Sequence, residues 1–151
     1  METNDIQLRP TAIFALIKIL PLILLTAGLL FLAWELSPLF IFFGIFTTGI
    51  ALYRYVYIRN LVYLITFQYV RISKGIFFKR VDQVEMYRIK DYIITQPPVL
   101  QLFRLMNVTL KSADRENPVI WLRGIPRSDL IDEIRGRVQE ARKHNQIYEI
   151  N

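Results

Sequence analysis

Residues 13–34 read IFALIKILPLILLTAGLLFLAW, 22 positions with one charge, Lys18. A hydrocarbon core takes about 20 apolar residues to cross in helical form, so this run predicts a membrane-spanning helix. Lys18 is close enough to its start for the long stem to carry the ammonium back to the interface. Pro21 sits near the start as well, where a helix tolerates it. Glu35-Leu36-Ser37-Pro38 breaks the pattern, and a second apolar run extends from Leu39 to Ile58. So short a link permits only a tight reversal, so residues 13–58 predict a transmembrane helical hairpin. Gly44, Thr48 and Ala51 recur at helical spacing and are the expected helix-packing seam against the first helix. Tyr53, Tyr55 and Tyr57 cluster near the end of the second run, as an interfacial aromatic belt would. A cleaved signal peptide fits less well, because Glu2 and Asp5 make a poor positive n-region and a second span follows at once.

Of the 151 residues, 53% are hydrophobic and 21% charged, and the two classes are segregated. The first 58 residues hold 3 basic and 3 acidic side chains; residues 59–151 hold 16 basic and 10 acidic, so the whole formal net charge of +6 lies there. Two regions in different solvents are implied. The link between the spans has no Lys or Arg, whereas Arg9 precedes the first span and Arg54, Arg59, Arg71 and Lys74 end or follow the second. The positive-inside rule then places both termini in the cytoplasm. The expected divisions are a short cytosolic N-terminus at 1–12, the hairpin at 13–58, a soluble domain at 59–145 and a tail at 146–151.

The absence of cysteine removes disulfides, thiol catalysis and Cys-based zinc sites, and the single histidine, His144, has no evident catalytic or metal partner. No metal site and no cofactor are expected, and no enzymatic activity. Neither span contains an acidic residue that would mark an ion path. Despite the sequence pI near 9.7, the basic residues are interleaved with acids instead of forming a stripe, so no nucleic-acid partner is expected.

From Leu61 the apolar period changes. Residues 61–67 are β-branched and aromatic, and Tyr69-Val70-Arg71-Ile72-Ser73 alternates. Lys74-Gly75 predicts a tight turn with Ile76-Phe77-Phe78 as the returning strand. Val84, Met86, Tyr87 and Ile89 predict another strand, continuing or breaking before residues 91–95. Pro97-Pro98 stops the sheet pattern, and residues 99–105 read as a short helical turn. Residues 107–111 and 119–122 pair across the polar turn 114–118. After Gly124-Ile125-Pro126, Ser128 can cap a helix whose first turns carry Asp129, Asp132 and Glu133. Leu130, Ile134, Val138 and Ala141 form its apolar stripe. Six to seven short strands and one amphipathic helix predict a small antiparallel barrel or sandwich with one open end plugged by the helix.

In their order, Ile65-Thr66, Arg71 to Phe77, Val84 to Asp91, Gln96, Leu100 to Leu105 and Asn107-Val108-Thr109-Leu110 resemble the membrane-flanked bacterial pleckstrin-homology (PH) domain family. Asn107 stands where the family usually has a glycine, and can also adopt positive φ; the Thr66-to-Arg71 spacing is longer than usual. The resemblance covers about residues 55–143 and implies a PH-like antiparallel β-barrel or sandwich, capped by the C-terminal amphipathic helix and following two transmembrane helices. It also implies no general enzymatic activity.

The function expected is a non-enzymatic scaffold or accessory subunit of the bacterial inner membrane, multi-pass, presenting a cytosolic PH-like domain for protein binding and assembly. Its partners are membrane lipids and another membrane or cytosolic protein, or a second copy. A strand edge, the segment Pro97 to Met106 and the seam around Gly44 and Thr48 are the candidate surfaces. The alternative is binding of anionic lipid headgroups. Lys74, Lys79 and Arg80 surround the first hairpin, where the resemblance to eukaryotic relatives implies a headgroup site. Positive-inside topology alone also accounts for those cations.

Overall fold

The computed structural model describes residues 5–144; the tail expected at 146–151 lies outside them. Two long helices, α1 (Ala12–Glu35) and α2 (Phe40–Arg59), run back along each other. The Thr11 hydroxyl accepts from Phe14 N at 3.2 Å and caps α1. Leu24, Phe31, Phe42 and Phe46 are exposed on the outer faces, and both helices are long and apolar enough to cross a membrane.

A strand absent from the sequence reading, β1 (Ile6–Leu8), precedes α1 and pairs antiparallel with β2 (Val62–Ile65), Leu8 opposite Tyr63. Ile6-Gln7-Leu8 gives one alternation, too little to register as a strand signal. Its pairing means that the helical hairpin is inserted between two neighbouring strands. The sheet continues through β3 (Tyr69–Lys74) and β4 (Arg80–Glu85), in the order β1-β2-β3-β4. A second sheet holds β5 (Ile89–Thr95), β6 (Leu105–Ser112) and β7 (Val119–Pro126), with the short helix α3 (Pro98–Leu102) between β5 and β6. The two sheets are not closed into one barrel; they form a sandwich, followed by α4 (Leu130–His144).

Two strand boundaries differ from the expected ones. The first hairpin returns at Arg80, not Ile76, because Gly75 turns at φ +113° with the Phe78 carbonyl where a Cβ would stand. Ile76-Phe77-Phe78 is therefore loop. The strand expected over 84–89 is broken at Met86–Arg88, a 3-10 turn that carries the chain from one sheet to the other with Met86 fully buried.

The core between the sheets includes Tyr63, Ile65, Val70, Val84, Leu110 and Leu122, closed by Leu130, Ile134 and Val138 of α4. Each such aliphatic side chain withdrawn from water contributes about 1.5–3 kcal/mol before entropy is counted. The helix starts one residue later than expected: the Asp129 carbonyl accepts from Asp132 N at 3.1 Å and Glu133 N at 3.3 Å, so Asp129 and not Ser128 stands at the cap. On the same buried face Arg137 is only 4% exposed. Its Nη1 donates to the Ile65 carbonyl at 2.9 Å, its Nη2 to Glu133 at 2.8 Å, and its guanidinium lies 4.6 Å from the Phe67 ring centroid. Arg142 donates to the Ile89 carbonyl at 2.9 Å, tying the helix to the start of β5. The plug is thus held by hydrogen bonds as well as by its apolar stripe.

Candidate functional site

The junction between helices and domain is built from a second buried cluster. Phe14, Leu100 and Leu105 pack together, with Ile17 and Ile58 against them. Gly124, at φ +66°, presents its bare α-carbon to the Phe14 ring. Around that contact Thr11 N donates to the Gly124 carbonyl at 2.9 Å, and Gly124 N to Asn107 Oδ1 at 2.9 Å. Arg59, at the end of α2, donates to the Pro10 carbonyl at 2.9 Å. Asn107 does not take positive φ; among the described residues the one non-glycine that does is Arg104, at +53°. Asn107 instead works through its side chain, at the irregularity where β6 and β7 shift register.

In the first hairpin Lys74 and Arg80 are cross-strand partners. Both turn to Asp82, Lys74 Nζ at 2.6 Å and Arg80 Nε at 2.7 Å. Burial pushes the Asp82 carboxyl up, but the two cationic hydrogen bonds outweigh it and hold the group below the usual carboxylate range. Lys79 makes no ion pair among the described residues. So Lys74 and Arg80 are brought together on one carboxylate, which offsets one of their two charges, and Lys79 takes no part in that pairing. Between them Phe77 is 84% exposed and Phe78 93%. The sequence reading missed this aromatic tip because it assigned both residues to a strand.

Along the helical seam Gly44 and Ala51 are buried, Gly44 beneath the Leu30 side chain. Thr48 is exposed, and its hydroxyl donates to the Gly44 carbonyl of its own helix at 2.8 Å. The polar link across the pair is made by the neighbouring residue, Thr47, whose Oγ1 lies 2.9 Å from that of Thr26.

The Pro97–Met106 segment divides. Leu100, Leu105 and Met106 are buried, whereas Val99, Leu102 and Phe103 are exposed, Leu102 at 77%. On the second sheet β5 is an edge strand. From Tyr92 to Thr95 it carries no charge, and Ile93 and Ile94 are exposed. Ile93 stands opposite Thr109, and Thr109 opposite Trp121, which is half exposed with the Arg123 guanidinium 4.9 Å from its ring. Across the middle of this sheet the outer face therefore carries Ile93, Thr109 and Trp121 in one row.

Among the described residues no group of His, Cys, Asp or Glu is placed to hold a metal ion. A shallow polar cleft lies between Arg104, Arg127, Ser128 and Asp129. A family model described as Bacterial PH domain matches residues 12–142. No curated protein and no solved structure matches the chain.

Proposed function

We propose a role from one premise: the chain belongs to the bacterial PH domain family, whose members are non-catalytic. It is a scaffold of the bacterial inner membrane. Helices α1 and α2 cross the bilayer as a hairpin, both termini lie in the cytoplasm, and the PH-like sandwich is held there for protein binding and assembly.

The observation that carries the binding role is the outer edge of β5. An edge strand left open is a template for another chain, and soluble proteins ordinarily blunt it with Lys, Pro or a bulge. The start of β5 is guarded by Lys90 and the irregularity between Ile89 and Asp91, but Tyr92-Ile93-Ile94-Thr95 has no such guard, and Trp121 and Arg123 lie two strands away on β7 of the same sheet, residue types enriched where binding energy concentrates. An extended segment of a partner protein, or of a second copy, would add as a strand to β5. The docked base of the helices supports the same reading, because it fixes the height and tilt at which this edge is offered.

The test is a photo-cross-linking side chain placed at Ile93 or Ile94 in cells that make the full-length protein. A discrete protein adduct at these positions and none at exposed Glu140 on α4 is the expected result. Lipid adducts alone, or none, would end the protein-binding reading.

The second reading is recognition of anionic lipid headgroups through Lys74, Lys79 and Arg80. It is favoured by their gathering at one end of one hairpin and weakened by Asp82, which already engages two of the three. If it holds, the same cross-linker at Lys79 collects lipid and its yield falls when anionic lipid is withdrawn.

A further inference from the structure

We propose that α3 is a second membrane contact: Val99, Leu102 and Phe103 are seated in the headgroup layer of the bilayer that holds α1 and α2, with Arg104 and Arg127 meeting lipid phosphates beside them. The inference rests on the reading that α1 and α2 cross the bilayer.

The level of the bilayer surface is marked on the helices themselves. Lys18 turns back so that its ammonium lies 5.8 Å from the centroid of the Phe14 ring, the geometry of a lysine reaching out of hydrocarbon. On α2 the stacked Tyr53 and Tyr57, ring centroids 6.4 Å apart, mark the same zone, where amphipathic rings concentrate. Leu100 of α3 is buried against Phe14, with Ile17 and Ile58 beside it. Ile17 is one residue from Lys18 and Ile58 one from Tyr57, so α3 is packed on the hairpin at the interface.

Its other side is apolar. Val99 is 51% exposed and Leu102 77%, on a five-residue helix, and Phe103, just past its end, is 43% exposed. Leu100 beneath it is packed on Phe14 of α1, so this apolar side is held beside the hairpin, and a bilayer around the helices covers it without any further partner. An amphipathic turn of this kind buries its apolar side about 5–10 Å into the boundary between headgroups and acyl chains.

The charges at the end of α3 fit the same occupant. Arg104 takes up the left-handed conformation that turns the chain from α3 into β6, and its carbonyl accepts from Arg127 N at 2.9 Å. Both arginines are exposed, and neither makes an ion pair among the described residues. Cations beside an apolar foot suit an anionic leaflet; they do not suit a hydrophobic pocket in a protein.

The absence of native cysteine makes the test direct. Leu102→Cys, Phe103→Cys, Phe46→Cys and Trp121→Cys variants of the full-length protein, each labelled with a fluorophore, are reconstituted into liposomes whose acyl chains carry bromine at a shallow or a deep carbon. Labels at 102 and 103 are expected to be quenched several-fold more by shallow than by deep bromine, the label at 46 by bromine in the chains, and that at 121 by neither. Quenching at 46 without quenching at 102 and 103 would overturn the α3 contact and leave the spanning reading intact. No quenching at 46 would overturn both. A blue-shifted but unquenched label at 102 would mean that protein covers α3, and would overturn the proposal in favour of that occupant. With Arg104→Gln and Arg127→Gln together, quenching at 103 should fall in anionic liposomes and not in zwitterionic ones. Equal quenching at 103 with and without the two substitutions, in both lipids, would remove the arginines from the contact.

Discussion

The Phe14 ring occupies the space beside Gly124 into which any side chain at that position would project. Helix α1 is thus joined to β7 by a contact that only glycine permits, reinforced by the bond from Thr11 N to the Gly124 carbonyl at 2.9 Å. The apolar helices and the sandwich meet as packed solids, not across a tether.

Replacing Gly124 by Ala adds a methyl group against the ring at a positive φ, and the variant should lose about 2–3 kcal/mol. Phe14→Ala should lose about 3 kcal/mol by opening a cavity among Leu100, Leu105 and Gly124. The double variant should lose clearly less than the sum, because removing the ring removes the clash. Denaturant unfolding in mild detergent measures all three.

Arg137→Met should lower stability by about 2 kcal/mol, since the Ile65 carbonyl would be left buried without its donor. Glu133→Gln should do far less, because Glu133 is about half exposed. Thermal melts of the purified protein separate the two.

The ion pairs at Asp82 carry a defined pH dependence. Its folded pKa is depressed, so the stability it adds is present above the ordinary carboxylate value and is lost as pH falls through the folded one. At this partly solvated site the loss should stay below about 1 kcal/mol. Amide exchange across β3 and β4 should accelerate on acidification in the wild-type chain, and Asp82→Asn should abolish that change.

Tyr63 works in the opposite pH direction. Burial raises its pKa, against the bond from Arg123 N and that residue's positive charge. The unfolded chain ionises first, so stability should fall as pH rises past about 10. Tyr63→Phe should remove that alkaline loss while sacrificing about 1 kcal/mol at neutral pH, because Arg123 N loses its acceptor. Absorbance of tyrosinate during alkaline titration reports the first effect, and denaturant unfolding the second.

Within the helical pair, Thr47→Val should weaken association by about 0.6 kcal/mol through loss of the Thr26 contact. Thr48→Val should change it little, its hydroxyl being bound within α2. Energy transfer between labels on α1 and α2 in detergent follows both.

Long periodic signals made most of this architecture legible in advance. The apolar runs, the alternating strands and the stripe Leu130, Ile134, Val138 are each repeated several times over, so local exceptions do not hide them. What stayed hidden depends on single contacts. The three residues of β1 acquire meaning only through their partner β2, more than fifty positions away. The Phe77-Phe78 tip was masked because hydrophobic aromatics inside a sheet pattern read as strand, and the expected turn at Gly75 proves longer, the Phe78 carbonyl folding back against Gly75 before the strand resumes at Arg80. Arg137 carries no signal in the sequence pattern, because its burial depends on the Ile65 carbonyl and the Phe67 ring brought against its face of α4. Thr48 fitted the seam by spacing, yet it is Thr47 that reaches across, a rotation of one residue that periodicity cannot resolve.

The pairing of Leu8 with Tyr63 sets a rule for biogenesis. One partner strand is synthesised before both apolar helices and the other after them. In the spanning arrangement proposed above, they can meet only when the chain has crossed the bilayer an even number of times. A nascent molecule that inserted one helix and stalled would strand β1 and β2 in different compartments, and the sandwich would lack a wall. Completion of the sheet therefore acts as a parity check on insertion, read out by folding itself.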